Sequence, residues 1–180
     1  MKGIVFTEFL EMVEKEFGYD TVDQIIEDSK LPSGGIYTAV GTYPHAELVS
    51  LVKQLHLKTG IPLDVLLKTY GRYLHNTFKL NYTHFFEAEK TLFDFLESID
   101  EHIHVEVLKL YPDAQLPKFE TRRISDNELE MIYTSERKLS DFAEGLIEKS
   151  MEHYKQKGSI KRSFINEDGS KVRFNVIIDE

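Results

Sequence analysis

Apolar residues in the first two thirds of the chain recur every three or four positions, which is the spacing of one helix face. This pattern predicts helices over residues 4–17, 20–28, 44–58 and 62–78, and a long central helix over residues 91–110. Gly18 and Gly60 follow two of these segments, and Pro44 and Pro62 begin two others, as expected at helix ends and first turns. Residues 81–89 are rich in aromatic side chains but less periodic. This part of the chain is therefore predicted to be mainly helical.

After Pro117 apolar and polar residues alternate, which is typical of strands. Two strands over 119–124 and 128–134 flank a turn at 125–127, a helix over 140–154 follows, and a hairpin over 160–165 and 171–178 closes the sequence. The predicted fold class is α+β: an N-terminal helical part followed by an antiparallel sheet with one inserted helix. Gly145 falls inside the last helix, where glycine costs about 1 kcal/mol relative to alanine. The close approach of a ligand or of another backbone would explain it.

The composition predicts one domain over residues 1–180, because a chain of this length with 41% apolar residues can bury a sizeable core. The net charge of −9 argues against a nucleic acid or an anionic membrane surface as the main partner. The chain has no cysteine, which excludes disulfides and thiolate metal sites. No segment has the apolar length of a transmembrane helix, and the N-terminus is too acidic for a signal peptide. A cytoplasmic protein with no membrane partner is therefore expected.

Two histidines lie on the predicted central helix, one residue to either side of Ile103. At about 100° per residue, His102 and His104 point in nearly opposite directions and cannot share one metal ion if the helix is regular. The helix is predicted to end near Pro112 and Asp113, because proline cannot continue a helix. Periodicity alone does not distinguish the two histidines, and both are also plausible half-buried residues at the edge of a core.

Three segments of the sequence, taken in order, resemble one known family. They are the opening MKGIVFTEFLEMVEKEFG, the segment HVEVLKLYP that begins at His104 and has Pro117 thirteen residues after that histidine, and the segment YTSER over residues 133–137, which has the form Tyr-x-Ser-x-Arg. Together they resemble the haem nitric oxide/oxygen binding family, H-NOX, and the resemblance covers essentially the whole chain. The short motif is weak alone, whereas the three segments in this order and at these separations form a strong signal.

The resemblance implies that haem b is buried between the helical part and the sheet. His104 would be the iron ligand, and Pro117 would pack against the porphyrin. Tyr133, Ser135 and Arg137 would donate hydrogen bonds to the two haem propionates, and in an extended segment all three would point to one side. The apolar pocket would be formed by residues that are also plausible core residues, namely Val5, Phe9, Leu74, Phe78, Phe142 and Leu146.

Phe142 indicates which gas the pocket would favour. The resemblance implies a tyrosine at this position in members that bind oxygen stably, and phenylalanine has no donor for bound oxygen. Phe9 and Leu74 supply no donor either. Loss of a hydrogen bond worth about 1–3 kcal/mol would weaken oxygen binding roughly five- to 150-fold. The pocket is therefore predicted to favour nitric oxide, and also carbon monoxide, over oxygen.

The predicted function is a gas sensor without enzymatic activity. The sequence ends soon after the last predicted strand, so the output is expected on a separate partner protein. The resemblance implies a histidine kinase or a cyclic-di-GMP enzyme, that is, a diguanylate cyclase or a phosphodiesterase. The alternative is a metal-dependent hydrolase that uses the carboxylates and histidines of the central helix, namely Asp100, Glu101, His102, His104 and Glu106. Their spacing matches no metalloprotease signature, and on a helix they spread around the axis.

Overall fold

The structure, a computed structural model, describes residues 1–179, and Glu180 lies outside the described residues. Helices come first and are followed by a sheet with one inserted helix, which is the α+β architecture predicted from the sequence. The bounds of the elements are α1 Ile4–Phe17, α2 Tyr19–Ser29, α3 His45–Thr59, α4 Leu63–Asn81, α5 Thr83–Ala88, α6 Leu92–Ser98, α7 His104–Leu110, β1 Lys118–Ser125, β2 Glu128–Thr134, α8 Ser140–His153, β3 Gly158–Phe164 and β4 Lys171–Ile178. A π-helical turn, Ile99–Ile103, joins α6 to α7.

The four strands form one antiparallel sheet in the order β1-β2-β4-β3. Tyr133 of β2 pairs with Phe119 of β1 and with Val172 of β4. Side chains alternate between the two faces of a strand, so every second residue of the two central strands faces the core. The buried residues of these strands are Leu129, Met131, Tyr133, Val172, Phe174 and Val176.

Two hydrophobic cores organise the fold, one among α1–α4 and one between the sheet, α6 and α8. The two halves of the chain meet where α4 packs against α8 at backbone contact distance. A Cβ atom added to Gly145 would lie 2.1 Å from the carbonyl oxygen of Lys68, and one added to Gly71 would lie 2.2 Å from that of Phe142. A neighbouring backbone therefore explains Gly145, which is one of the two alternatives that the sequence left open.

The central helix predicted over residues 91–110 is present over residues 92–110, but a π-helical turn interrupts it, so it is not a regular α-helix. The π-helical turn adds a residue to one turn immediately before His104, which rotates every later residue about the helix axis. Ile103 and Val107 are half-buried, whereas Leu110, which lies three residues after Val107, is 65% exposed. Single π-helical turns inside α-helices are frequent at functional sites.

Residues 83–88 form α5, a short helix that the apolar pattern did not predict. Phe86 stacks on Phe95 of α6 at a ring-centroid distance of 4.8 Å and lies edge-on to His75 of α4 at 5.1 Å. A helix of six residues is not stable in isolation, so these tertiary contacts, rather than periodicity, determine it.

Candidate functional site

His104 is the first residue of α7 and follows the π-helical turn directly. Its side chain is 16% exposed, and Nδ1 lies 3.0 Å from Oδ1 of Asp100. Because a carboxylate oxygen can only accept, the Nδ1–H group donates. The same oxygen also accepts the main-chain N–H of Phe119 at 3.2 Å, so Asp100 is held in place by β1. Asp100 therefore sets the tautomer and orientation of the imidazole and leaves the lone pair on Nε2 for a metal ion.

Burial lowers the pKa of His104 below its ordinary value, and the hydrogen bond and charge of Asp100 offset part of that shift. The imidazole is therefore neutral near pH 7, which is the form that binds metals. His102, in contrast, is exposed. Sequence reasoning missed Asp100 as the acceptor, although a carboxylate four residues before a helical histidine is a usable signal for such a pair.

The Tyr-x-Ser-x-Arg segment is not a single extended stretch, contrary to the sequence prediction. β2 ends at Thr134, and a turn follows at residues 136–137. The Ser135 hydroxyl oxygen accepts the main-chain N–H of Arg137 at 3.2 Å, and Lys138 adopts a left-handed conformation with φ of 56°. Serine hydroxyls that bond to the backbone two residues later favour such turns. The turn, rather than strand alternation, brings Ser135 and Arg137 close to Tyr133.

Tyr133 is a buried residue, and Arg137 is half-buried with one buried guanidinium nitrogen. Tyr133 is 2% exposed, its hydroxyl accepts the main-chain N–H of Leu139 at 3.1 Å, and burial raises its pKa so that it stays protonated. Nη2 of Arg137 is buried and has no hydrogen-bond partner among residues 1–179, and burial lowers the pKa of this guanidinium. A buried donor without a partner is unfavourable, so the arrangement indicates that an anion binds here. A guanidinium can bind a carboxylate or a phosphate through two parallel hydrogen bonds.

The residues predicted to line an apolar pocket are distributed over α1, α4 and α8. Phe9 and Leu74 are fully buried in the core of the helical part. Three others are half-buried against that core: Val5, Phe78 and Phe142. Leu146, one turn after Phe142 on α8, and Pro117, in the segment between α7 and β1, are half-buried as well. Within residues 1–179 neither Leu146 nor Pro117 belongs to the two hydrophobic cores.

Tyr70 of α4 belongs to the same apolar cluster and was missed by sequence reasoning. Its ring centroid lies 5.2 Å from those of both Phe9 and Phe142. Its hydroxyl is fully buried and donates to the main-chain carbonyl oxygen of Val5. The cluster therefore contains a hydroxyl group whose proton is already engaged. The spacing of one helical turn before Leu74 was the available signal.

Among residues 1–179, no three histidine, aspartate or glutamate side chains lie close enough together to share a metal ion. A neutral histidine with a free Nε2 lone pair could serve as the protein ligand of iron held in a porphyrin.

A family model described as Haem-NO-binding matches residues 2–162. The chain belongs to this family, H-NOX. Solved H-NOX structures superpose closely on this H-NOX chain. The Fe(II) unliganded H-NOX protein from K. algicida matches with a TM-score of 0.96 and 42% identity over 100% of this chain and 97% of that one. The IWP-051-bound H-NOX from Shewanella woodyi, in the Fe(II)CO state, matches with a TM-score of 0.84 and 40% identity over 98% and 94% of the two chains.

The H-NOX protein from S. oneidensis in the Fe(II)NO state matches with a TM-score of 0.92 and 25% identity over the full length of both chains. No curated protein sequence matches this H-NOX chain. H-NOX domains bind haem and belong to gas sensors, so the family, the α+β fold class and the cofactor predicted from the sequence are confirmed. The neutral His104 imidazole and the unpartnered Arg137 nitrogen fit that cofactor. No helix within residues 1–179 combines the length and the apolar composition that crossing a bilayer requires.

Proposed function

We propose that this H-NOX chain is a nitric oxide sensor that holds ferrous haem b between its helical part and its sheet and regulates a separate signalling protein. The observation that carries the proposal is the buried Nη2 of Arg137, which has no partner among residues 1–179. Haem carries two carboxylates, and Arg137, Tyr133 and Ser135 would hold them. When bound, haem would supply an iron atom that takes up a diatomic gas.

His104 would bind the iron through Nε2, because Nδ1 is committed to Asp100. The hydrogen bond to the carboxylate increases the basicity of the imidazole and fixes its orientation. Pro117, in the segment that leaves α7, would pack against the porphyrin on the same side. The apolar part of the haem pocket would be formed by Val5, Phe9, Leu74, Phe78, Phe142 and Leu146.

The gas-binding side is proposed to favour nitric oxide and carbon monoxide over oxygen. Bound oxygen carries partial negative charge and gains from a hydrogen-bond donor, whereas nitric oxide on ferrous iron needs one much less. Phe9, Leu74 and Phe142 have no donor. The buried hydroxyl of Tyr70 donates to the carbonyl of Val5, so that proton is engaged as well. The absence of a donor from these side chains supports discrimination against oxygen by roughly five- to 150-fold.

The switch is proposed to be the attachment of His104 to the metal. His104 would hold α7 to the haem iron; nitric oxide would loosen this attachment, whereas carbon monoxide would leave it intact. Loss of the attachment would free α7, a helix of seven residues, and would let the two hydrophobic cores shift against each other. A partner that distinguishes the two arrangements then responds to the gas. The proposed partner is a histidine kinase, a diguanylate cyclase or a phosphodiesterase.

We also propose that residues 1–180 form one domain without enzymatic activity. The backbone contact of α4 with α8 joins the two cores and supports a single unit. The hydrolase alternative finds no support in the arrangement of the central helix. His102 and Glu106 are exposed, and Asp100 is engaged by His104 and β1.

Purified variants test the proposal directly. His104→Gly should yield a colourless protein that regains haem and its Soret absorption when imidazole is added, because free imidazole can replace the missing side chain. His102→Ala is the matched control and should bind haem as the natural chain does. The opposite result, with haem lost in His102→Ala and retained in His104→Gly, would show that the histidine assignment is wrong.

A further inference from the structure

A polar cluster lies at the far end of α7 from His104. Asp113, in the turn that follows the helix, accepts a hydrogen bond from the Thr42 hydroxyl at 2.7 Å. Its other carboxylate oxygen lies 3.6 Å from Nζ of Lys2. Thr42 and Asp113 are 71 residues apart in sequence, so this contact joins the N-terminal helical part to the segment between α7 and β1.

Lys2 lies at the centre of the cluster, with a side chain that is 14% exposed. Its Nζ donates to Oγ1 of Thr42 at 2.8 Å and lies 4.6 Å from the centroid of the Tyr111 ring, a cation–π distance. The main chains of Lys2 and Thr42 also form an isolated antiparallel β-bridge. Lys2 and Thr42 are thus joined to each other twice, and both contact the residues that follow α7. We call Lys2, Thr42, Tyr111 and Asp113 the Asp113 bridge.

The N-terminal side of the Asp113 bridge is anchored to α1. The main-chain N–H of Gly3 donates to the carbonyl of Gly41 at 2.8 Å, and that of Ile4 donates to Ala39 at 2.9 Å. Tyr43, next to Thr42, packs on Phe6 of α1 at a ring-centroid distance of 5.6 Å. A displacement of Thr42 would therefore be transmitted to the first turn of α1 through these contacts.

We propose that the Asp113 bridge positions the end of α7 and couples movement of the His104 helix to α1. The inference rests on the proposed function for its trigger, the release of His104. A helix of seven residues is about 10 Å long and moves as a rigid body, so a shift at His104 is carried to its other end. α7 is attached to the π-helical turn at its start and to the Asp113 bridge beyond its end. The hydrogen bond and the ion pair of Asp113 join segments that are distant in sequence, so the bridge can transmit a displacement from one segment to the other.

Amide hydrogen exchange measured by mass spectrometry on the full chain tests the coupling. Asp113→Asn removes the charge, and Thr42→Val removes the bridging hydroxyl while keeping the side-chain shape. Without gas, both variants should exchange about fivefold faster than the natural chain at residues 41–43 and 107–114, because Asp113→Asn loses the charge that pairs with Lys2 and that strengthens the hydrogen bond from Thr42, and Thr42→Val loses the donor of that bond. Asp126→Asn, at an exposed aspartate in the β1–β2 turn, is the matched charge control and should exchange like the natural chain.

The gas response provides the second comparison. Nitric oxide should raise exchange at both 105–110 and 41–43 in the haem-loaded natural chain and in Asp126→Asn. In Asp113→Asn and Thr42→Val the change at 105–110 should remain, while the change at 41–43 should disappear. The coupling would be overturned if the gas-free variants exchanged at the same rate as the natural chain at both segments. It would also be overturned if nitric oxide still raised exchange at 41–43 in these variants. If nitric oxide did not change exchange at residues 105–110 in the natural chain, the trigger in the proposed function would be wrong. The gas-free comparison would still test whether the Asp113 bridge joins the two segments.

Discussion

Arg137→Met should have opposite effects on the haem-free and the haem-loaded protein. In the haem-free chain, Nη2 of Arg137 is buried without a partner among residues 1–179. Methionine keeps an unbranched apolar side chain but has no hydrogen-bond donor, so the variant no longer buries an unpaired donor. With haem bound, the proposed function gives the same guanidinium a propionate partner, which the variant loses.

The expected magnitudes follow from the burial. An unsatisfied buried donor costs about 1–3 kcal/mol, and each kcal/mol shifts the melting temperature by about 2–4 °C in a chain of this size. The haem-free variant should therefore melt a few degrees higher than the natural chain. A hydrogen bond to a charged group contributes about 1.5–3 kcal/mol, so haem should leave the variant roughly ten- to 150-fold faster.

Two measurements on the same preparations test the sign reversal. Thermal melts of the haem-free proteins give the first effect, and transfer of haem to apomyoglobin gives the second. Arg122→Met is the control, because Arg122 lies on β1 with a side chain that is 70% exposed, and it should change neither quantity appreciably. A haem-free Arg137→Met protein that melts lower and loses haem at the natural rate would refute the reasoning, because Arg137 would then be paired within the chain.

Three further predictions concern the gas and the core. The ferrous protein should bind nitric oxide and carbon monoxide but show no stable oxygen complex in air, and Phe142→Tyr should strengthen oxygen binding; a persistent oxygen spectrum of the natural chain would contradict this. Absorption spectra should show that nitric oxide displaces His104 while carbon monoxide does not, and a partner assay that responds equally to both gases would exclude His104 release as the switch. Burial lowers the pKa of His75 from 6.5 to about 4, so the unfolded chain binds a proton more readily and stability is lost as the pH falls from 6.5 through 4. His75→Phe removes two ring nitrogens that have no hydrogen-bond partner among residues 1–179, so urea unfolding at pH 7 and pH 5 should show higher stability and a smaller pH dependence. An unchanged pH dependence would show that other groups cause it.

The sequence alone was sufficient for the order and type of nearly all elements. Apolar residues repeat with the period of the helix or strand in which they lie, so the secondary structure of segments such as 4–17 and 171–178 can be assigned from their own residues. Gly145 could be identified as a close-packing position for a similar reason, since glycine inside a helix is unfavourable unless space demands it. The resemblance to H-NOX proteins then distinguished His104 from His102, which periodicity by itself left equivalent. The roles of the individual haem-contacting residues remain predictions.

Only the tertiary structure decided the features that depend on contacts between distant segments. α5 exists because Phe86 packs on Phe95 of α6 and on His75 of α4. The acceptor for His104 is near in sequence, yet Asp100 is held there by β1. The engaged hydroxyl of Tyr70 and the bridge at Asp113 join residues 65 and 71 positions apart. A single sequence contains no periodic signal for such pairs, because their geometry arises only when helices and sheet pack together.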